Sequence, residues 1–272
     1  TVQLQFPWQV NGILKLEKGK IVTNSTNYLT IASGSELRYN QGYIDGPVAY
    51  SVNRTSEVLL QYPLGQQTLV RPFALRLIQN STSTTTYKAE LKQGAPSPRT
   101  VPATLDAVNQ QWYVVVTKTG SSEVTSLTVT MSYTCADGYA NKDSIRIARD
   151  DGAGAWENCG GSGTSDCEGT INSNVLLSMQ PSTEFVLAHA AANATVALPI
   201  VTTQAIDTNY ISTTTAYGGG VVLNDGGAAV SERGVCWNTT GSPTIADHHT
   251  QDGNGTGSFT STLTELSAGI QY

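Results

Sequence analysis

Apolar and polar side chains alternate with a period of two through the middle of the chain. Residues 127–133 read Leu-Thr-Val-Thr-Met-Ser-Tyr, so the odd-numbered positions are apolar and the even-numbered ones carry hydroxyls. Segments 73–77 and 87–92 repeat this alternation. Because successive side chains of a strand point to opposite faces, the pattern predicts antiparallel strands with one face in a core and one in solvent.

The alternating segments recur at short intervals and are separated by turn sequences such as Asp137-Gly138 and Asp151-Gly152. Regularly spaced short strands of this kind predict a β-sandwich, which we place at residues 46–190. The cluster Pro96, Pro98 and Pro102 interrupts this region. We interpret it as a long connection between strands, and a domain boundary at this point is the alternative.

The first 45 residues contain a short internal echo. Leu14, Leu16 and Gly19 recur fifteen positions later as Leu29, Ile31 and Gly34. Short strands that end at glycines are typical of the coils of a β-solenoid. We therefore expect a β-solenoid-like N-terminal segment at residues 1–45.

A second boundary is predicted near residue 190. Residues 191–198 are small and weakly polar, and a new apolar and β-branched run begins at Pro199. We expect a linker at 191–198 and a further β module at 199–272. The chain is thus predicted to be all-β, with a solenoid-like segment, a central sandwich and a C-terminal module in tandem.

The low content and the acidic balance of charged residues limit the classes of molecule that this chain is expected to bind. Charged residues make up 13% of the chain and the formal net charge is −6, without a cluster of Lys or Arg. This argues against nucleic acid and anionic membrane surfaces as partners. No apolar run reaches the roughly 18 residues of a membrane-spanning helix, so we expect no membrane span in this chain.

Four cysteines offer one local pairing. Cys159 and Cys167 flank a seven-residue loop rich in Gly and Ser, whereas Cys135 and Cys236 lie far apart in sequence. We expect a disulfide between Cys159 and Cys167. The alternative is a pair of reduced thiols on neighbouring strands, and a zinc site lacks the paired ligands of a C-x-x-C motif.

Oxygen-rich loops are the candidates for a metal. Asp252 and Asn254 lie in one loop, and Asp137 and Asp143 lie at the ends of another. Calcium binds such oxygen ligands, but neither loop has the full twelve-residue pattern with its terminal Glu, and ordinary Asx turns use the same residues. Calcium is therefore a weak candidate, and we expect no other cofactor.

The sequence nominates no catalytic site. The histidines are His189, near a predicted linker, and the adjacent His248 and His249, which an extended strand would point to opposite faces. No nucleophile elbow, zinc-protease helix or phosphate-binding loop is found. We therefore expect a protein that is not an enzyme.

Several segments carry a resemblance to a known group of proteins. The chain from Pro199 resembles the fibronectin type III-like repeats of Bacteroidetes surface proteins. Residues 43–48 and 62–65, and residues 145–149 ahead of Trp156, look like the β-rich modules found beside such repeats. The segments that carry the resemblance in the last module are 199–203, 216–222, 225–230, 233–237, 257–259 and 263–266.

The resemblance implies an immunoglobulin-like sandwich for the last module and export, commonly by the type IX secretion route, to the cell surface or the extracellular space of a Gram-negative bacterium. It implies no catalytic residues. Asp143-Ser144-Ile145 resembles the short acceptor pattern for O-linked glycans in Bacteroidetes, in which Ser144 would carry the sugar.

The last module is expected to be incomplete in the sequence at hand. Repeats of this kind continue into two further strands, whereas residues 199–272 fall short of the roughly 100 residues of such a sandwich. Either another chain donates the completing strand, or the remaining strands lie outside this sequence.

These expectations favour a structural or adhesive protein of a bacterial surface or extracellular assembly, such as a filament or surface-layer subunit. Its partners would be other protein subunits, including further copies of itself, or surface glycans. The alternative is a carbohydrate-binding or spacer region of a larger secreted enzyme, with Trp8, Trp112, Trp156 and Trp237 as candidates for sugar stacking. Because Trp112 and Trp237 lie in apolar strands, we expect both to be core residues.

Overall fold

The structure is a computed structural model that describes residues 1–139, 141–191, 198–206, 211–228 and 230–272. It confirms the all-β class, because the regular secondary structure of the described residues consists of strands and two short 3-10 helices, Cys135–Asp137 and Lys142–Ser144. No helix in these ranges is long and apolar enough to span a membrane. The chain divides into two compact units, Thr1–Thr195 and Val196–Tyr272. The linker expected at 191–198 falls mostly outside the described residues.

The first unit begins with stacked coils of short parallel strands. β1 pairs with β4 and β4 with β7, β2 pairs with β5 and β5 with β8, and β3 pairs with β6, all in parallel. This stacking confirms the solenoid-like character predicted from the sequence. The strands are β1 (Val2–Gln3), β2 (Trp8–Val10), β3 (Ile13–Leu16), β4 (Lys20–Val22), β5 (Leu29–Ile31), β6 (Glu36–Tyr39), β7 (Tyr43–Asp45) and β8 (Val48–Val52).

The prediction that positions fifteen residues apart stack on neighbouring coils is wrong. Leu14 lies beside Leu37, not Leu29, and Leu29 lies beside Trp8 and Val48. The echo compares β3 with β5, which belong to different stacks of strands. The glycines of the echo are nevertheless turn residues, because Gly19 and Gly34 have φ values of 87° and 82°.

The solenoid continues directly into the sandwich. β7 pairs in parallel with β10, and β8 pairs with β13 in antiparallel fashion. The remaining strands of this unit are β9 (Val58–Tyr62), β10 (Leu64–Gln66), β11 (Leu69–Val70), β12 (Phe73–Gln79), β13 (Thr85–Gln93), β14 (Leu105–Val108), β15 (Trp112–Thr119), β16 (Val124–Tyr133), β17 (Ile145–Asp150), β18 (Trp156–Asn158), β19 (Gly169–Asn172) and β20 (Ser182–Ala190).

Two sheets form the sandwich. One has the order β19-β16-β12-β9, and the other runs β18-β17-β20-β15-β13-β8-β5-β2, with β14 added beside β20. Their inward side chains and those of the coils form one continuous core. The alternation predicted for 127–133 is confirmed, since the four apolar side chains are buried and the three hydroxyl side chains between them are half-buried.

The proline cluster belongs to a long connection between β13 and β14, as interpreted from the sequence. A smaller cluster of buried side chains lies apart from the main core and includes Leu105, Val108 and Trp156. It also includes Val186 and Ala188, so β20 is buried on both faces and reads as a nearly continuous apolar run.

The second unit has a three-stranded sheet of order β21-β22-β25 and a two-stranded pair β23-β24. Its buried apolar cluster is small: Ala216, Trp237 and Leu263, with Val235 and Leu266 packed against them. The strands are β21 (Ile200–Gln204), β22 (Ala216–Asn224), β23 (Cys236–Trp237), β24 (His248–His249) and β25 (Gly257–Leu263).

Candidate functional sites

The disulfide joins Cys135 to Cys167, so the predicted Cys159–Cys167 pair is wrong. The Cα atoms of Cys135 and Cys167 are 4.5 Å apart. Antiparallel pairing of β16 with β19 places Tyr133 opposite Gly169, and each cysteine lies two residues beyond that pair. Cys159 is a buried thiol of the main core, where burial raises its pKa above the ordinary value for a thiol.

A buried ion pair lies next to this disulfide. Asp137 accepts hydrogen bonds from Arg71 Nη2 at 3.0 Å, from Trp112 Nε1 at 2.6 Å and from the backbone N–H of Thr134 at 2.7 Å. The side chains of Arg71 and Asp137 are 8% and 1% exposed. The Arg71 guanidinium also lies over the Trp112 ring, 5.4 Å from its centroid. The Asp137 carboxylate therefore holds the turn after β16 against the sandwich.

The oxygen-rich loops use their carboxylates within the protein. Asp137 is bound by Arg71, while Asp143 is contacted by Lys142 Nζ at 2.9 Å. Asp252 accepts from Thr250 Oγ1 at 2.6 Å and from Ser261 Oγ at 2.5 Å, and Asn254 is exposed. Within the described residues, no three His, Cys, Asp or Glu side chains gather as a metal would require.

The three histidines lie in different surroundings. The ring of His189 packs at a tilt against the ring of Tyr139, with ring centroids 4.5 Å apart. His248 stacks on Trp237 at 5.7 Å and lies 3.5 Å from a carboxylate oxygen of Glu265. His249 pairs across the strands with Cys236, and its Nδ1 lies 3.0 Å from the carbonyl oxygen of Asp247.

The glycosylation candidate Ser144 ends the second 3-10 helix. Its hydroxyl donates a hydrogen bond to the carbonyl oxygen of Asn141 at 2.7 Å, and the residue is half-exposed. A glycan on Ser144 would replace this local hydrogen bond.

Sequence reasoning missed a carboxylate pair bridged by an arginine. The antiparallel register of β17 and β20 pairs Arg149 with Phe185, and Asp150 and Glu184 are the next residues along the two strands. Arg99 Nη2 donates to Asp150 at 2.7 Å and Nη1 donates to Glu184 at 2.5 Å. Arg99 also lies over the Trp156 ring, 4.7 Å from its centroid. The Arg99 guanidinium, placed between the carboxylates of Asp150 and Glu184, thus binds the proline-rich connection to the sheet.

The four tryptophans do not form one platform. Trp112, Trp156 and Trp237 are buried, which confirms the expectation for Trp112 and Trp237. Trp8 is 58% exposed and lies on the first coil near Phe6, which is 77% exposed. The only aromatic surface that these four residues offer to solvent is therefore at Trp8.

In the described part of the chain, the first coil, formed by β1, β2 and β3, has one unpaired edge on each strand. β1, β2 and β3 each have one paired side, toward β4, β5 and β6, and no partner among the described residues on the other side. Val2 and Ile13 are exposed on this coil, together with the aromatic residues near its second strand. The exposed surface of the coil is mixed, because Gln3, Gln9 and Lys15 are exposed beside these apolar side chains.

The second unit contains a groove of about 510 Å³. Val201 and Val222 line it from the sheet together with Phe259, and Cys236 and His249 line it from the β23-β24 pair. Arg233 lies at this groove with its guanidinium 5.7 Å from the centroid of the Phe259 ring. The groove therefore has apolar side chains, a thiol and an imidazole along its walls, together with the oppositely charged Glu232 and Arg233.

Comparison with known proteins gives no relative for this arrangement. The chain matches no family model, no curated protein and no solved structure.

Proposed function

We propose that this chain is a non-catalytic structural or adhesive subunit of a bacterial surface or extracellular assembly, joined to its neighbours through β-strand edges. The observation that carries the proposal is the first coil, with its unpaired strand edges and exposed Phe6 and Trp8. Such edges are commonly protected by charges, prolines or a covering segment. On this coil Pro7 precedes β2 and Lys15 lies in β3, whereas β1 carries neither a charge nor a proline. An unpaired strand edge with exposed apolar side chains beside it is suited to pairing with another chain.

The polar clusters support a role in holding the protein together. Asp137 is bound by Arg71 and Trp112, and Glu184 is bound by Arg99 and Ser97. Buried charges that are paired and hydrogen-bonded fix the packing of the segments that carry them. These carboxylates thus bind loops to the sheets, and such cross-links are suited to a structural subunit.

The disulfide supports the proposed location outside the cytoplasm. Cys135 and Cys167 are bonded, and disulfides persist in secreted and cell-surface proteins, whereas thiols stay reduced in the cytosol. We propose the outer face of a Gram-negative cell or the extracellular space as the site of action, in line with the resemblance to Bacteroidetes surface proteins.

Light scattering coupled to size-exclusion chromatography tests self-association. The full chain has a mass of 28.8 kDa, and the proposal predicts a larger mass that rises with protein concentration. Replacing Phe6 and Trp8 with glutamate places charge on the open coil and should return the protein to the monomer mass. Leu177→Glu is the matched control, since Leu177 is 69% exposed but lies outside the strands.

A monomer at every concentration would contradict association through this coil, and so would a double variant that assembles as well as the control. Circular dichroism of each variant shows whether its strand content is retained, so loss of assembly is separated from loss of folding.

A carbohydrate-binding region is the second candidate, and the exposed ring of Trp8 favours it. Aromatic rings stack against sugars because one face is apolar and the indole N–H remains available for hydrogen bonding. This candidate predicts saccharide binding on a glycan array and a change in Trp8 fluorescence on titration. Both signals should disappear in Trp8→Ala and persist in Leu177→Glu.

A further inference from the structure

The groove of the second unit has one wall made by a single face of the sheet. Val201 of β21 pairs with Val222 of β22. Phe259 of β25 pairs with Gly220, two positions before Val222. Side chains two positions apart share a face of a sheet, so Val201, Val222 and Phe259 lie on the same wall. Val222 and Phe259 are 2% and 8% exposed, whereas Val201 is 54% exposed, so this apolar wall is open to solvent along β21.

The size and lining of the groove suit a small molecule with a hydrocarbon part. Ligand sites are commonly concave spaces of roughly 300 to 1,000 Å³ with mostly apolar walls and a few polar groups. This groove has a volume of about 510 Å³, and Ile245 adds a side chain that is 81% exposed. A hydrocarbon chain in the groove would remove Val201 and Ile245 from water, which is favourable.

A half-buried cation lies at this groove without a carboxylate partner. Arg233 Nη1 donates to the carbonyl oxygens of residues 255–257, with the shortest distance of 2.9 Å to Thr256. Its Nε donates to the carbonyl oxygen of Asp252 at 3.4 Å, and its Nη2 makes no hydrogen bond to the described residues. Arg233 forms no ion pair with any carboxylate that the structure describes. Its charge is therefore held by backbone dipoles alone.

The two acids beside Arg233 do not pair with it. The Asp252 carboxylate accepts from Thr250 Oγ1 at 2.6 Å and from Ser261 Oγ at 2.5 Å. Glu232 also lines the groove, but its side chain is exposed to solvent. Burial lowers the pKa of the Arg233 guanidinium from its ordinary value, and the group nevertheless stays charged at neutral pH. A partly desolvated positive charge thus remains for an anion to neutralise.

We propose that the groove binds an amphipathic carboxylate of the medium-chain fatty acid class, with its chain against Val201, Val222 and Phe259 and its head group on Arg233 Nη2. Charge complementarity selects the head group, because a guanidinium binds a carboxylate through charge-assisted hydrogen bonds. The apolar wall selects the chain. The inference goes beyond the proposed self-association, since the groove contains no residue of the first coil.

Isothermal titration calorimetry of the full chain with sodium decanoate, below the concentration at which it forms micelles, tests this site. Decyltrimethylammonium is the matched probe, because it has the same chain length and the opposite head-group charge. We expect decanoate to bind roughly tenfold more tightly or better, the ratio that one hydrogen bond to a charged group provides. No decanoate binding, or equal affinity for the two probes, would overturn the inference.

Substitutions at two neighbouring residues of β21 locate the site. Val201→Glu places a negative charge on the apolar wall and should abolish decanoate binding. Thr202→Glu is the matched control, because Thr202 is also exposed and its side chain points to the other face of the sheet. It should bind decanoate as the native protein does. Equal binding by the two variants would refute the assignment to this wall.

Two adjacent charges should act with opposite sign. Glu232→Gln removes a negative charge from the groove and should tighten decanoate binding, whereas Arg233→Gln should weaken it by roughly tenfold. Circular dichroism shows whether Arg233→Gln is folded, and if it is not, Glu232→Gln still decides the sign. Weaker binding by Glu232→Gln would contradict the electrostatic argument.

A segment of another chain is the competing occupant of the groove. In that case Val201→Glu lowers the mass measured by light scattering, Thr202→Glu does not, and the native protein takes up no decanoate. That combination would overturn the proposal and assign the groove to a protein partner.

Discussion

Removing the carboxylate of Asp137 should strongly destabilise the first unit. In Asp137→Ala, the Arg71 guanidinium stays in a buried site without its counter-charge, and the N–H groups of Trp112 and Thr134 lose their acceptor. Each of these groups was removed from water when the protein folded. The cost is therefore desolvation without a compensating partner, not only the loss of hydrogen bonds.

The expected magnitude follows from the burial of the pair. Breaking a buried ion pair by removing one partner costs about 3 to 5 kcal/mol of unfolding free energy. For a unit of this size, 1 kcal/mol corresponds to about 2 to 4 °C in the midpoint temperature, so the melting temperature should fall by roughly 6 to 20 °C. Replacing both partners, as in Arg71→Met with Asp137→Leu, should cost less than Asp137→Ala alone.

The assay is chemical and thermal unfolding followed by tryptophan fluorescence, with the disulfide kept intact. Glu57→Ala is the matched control, because Glu57 and Arg76 form an ion pair at 2.7 Å with both side chains largely exposed. An exposed pair of this kind contributes up to about 1 kcal/mol. If Asp137→Ala loses no more stability than Glu57→Ala, the argument from burial is refuted.

Three further results are expected. Arg99→Ala leaves Asp150 and Glu184 without their shared cation and should cost about 2 kcal/mol in urea unfolding, whereas a cost under 0.5 kcal/mol would contradict the bridging role. In the native protein, a thiol reagent should modify Cys236 rapidly and Cys159 only on unfolding, and equal rates would show that Cys159 is not buried. Burial raises the pKa of Tyr87 to about 12, so the unfolded state loses this proton first as the pH rises. Stability should therefore fall between about pH 10 and 12, and Tyr87→Phe should lessen that fall in pH-dependent unfolding.

The strands of the sandwich could be predicted because burial differs between the two faces of each sheet. Met131 and Thr130 are adjacent in sequence, yet one is buried and the other half-buried, as the alternation requires. The same logic fails for β20, where Val186 and Ala188 are also buried because a second cluster packs against the outer face. Alternation describes a strand only when solvent covers one side.

The coil repeat was misjudged because the turns of the coils differ in length. Leu14 pairs with a residue 23 positions later, whereas Leu29 pairs with one 19 positions later. A search for one fixed spacing cannot find partners that lie at two different spacings. The similarity between Leu14 and Leu29 reflects two apolar strands of similar length, not stacked positions.

The disulfide and the buried ion pair depend on tertiary register. Cys135 and Cys167 are brought together by the pairing of β16 with β19. The disulfide can therefore be predicted only once the register of those two strands is known. Arg71 and Asp137 are 66 positions apart, and nothing in their local sequences couples them. The short loop between Cys159 and Cys167 favoured a disulfide between these two residues. In the structure, Cys159 instead lies in the main core.

Hydrogen–deuterium exchange as a function of protein concentration tests association through the open coil most directly. If neighbouring chains pair with the edge strands, backbone amides in residues 2–16 should exchange more slowly at high concentration than at low concentration. Amides of central strands such as β12 should exchange at the same rate in both. Unchanged exchange across residues 2–16, in a sample whose mass stays at 28.8 kDa, would contradict the account.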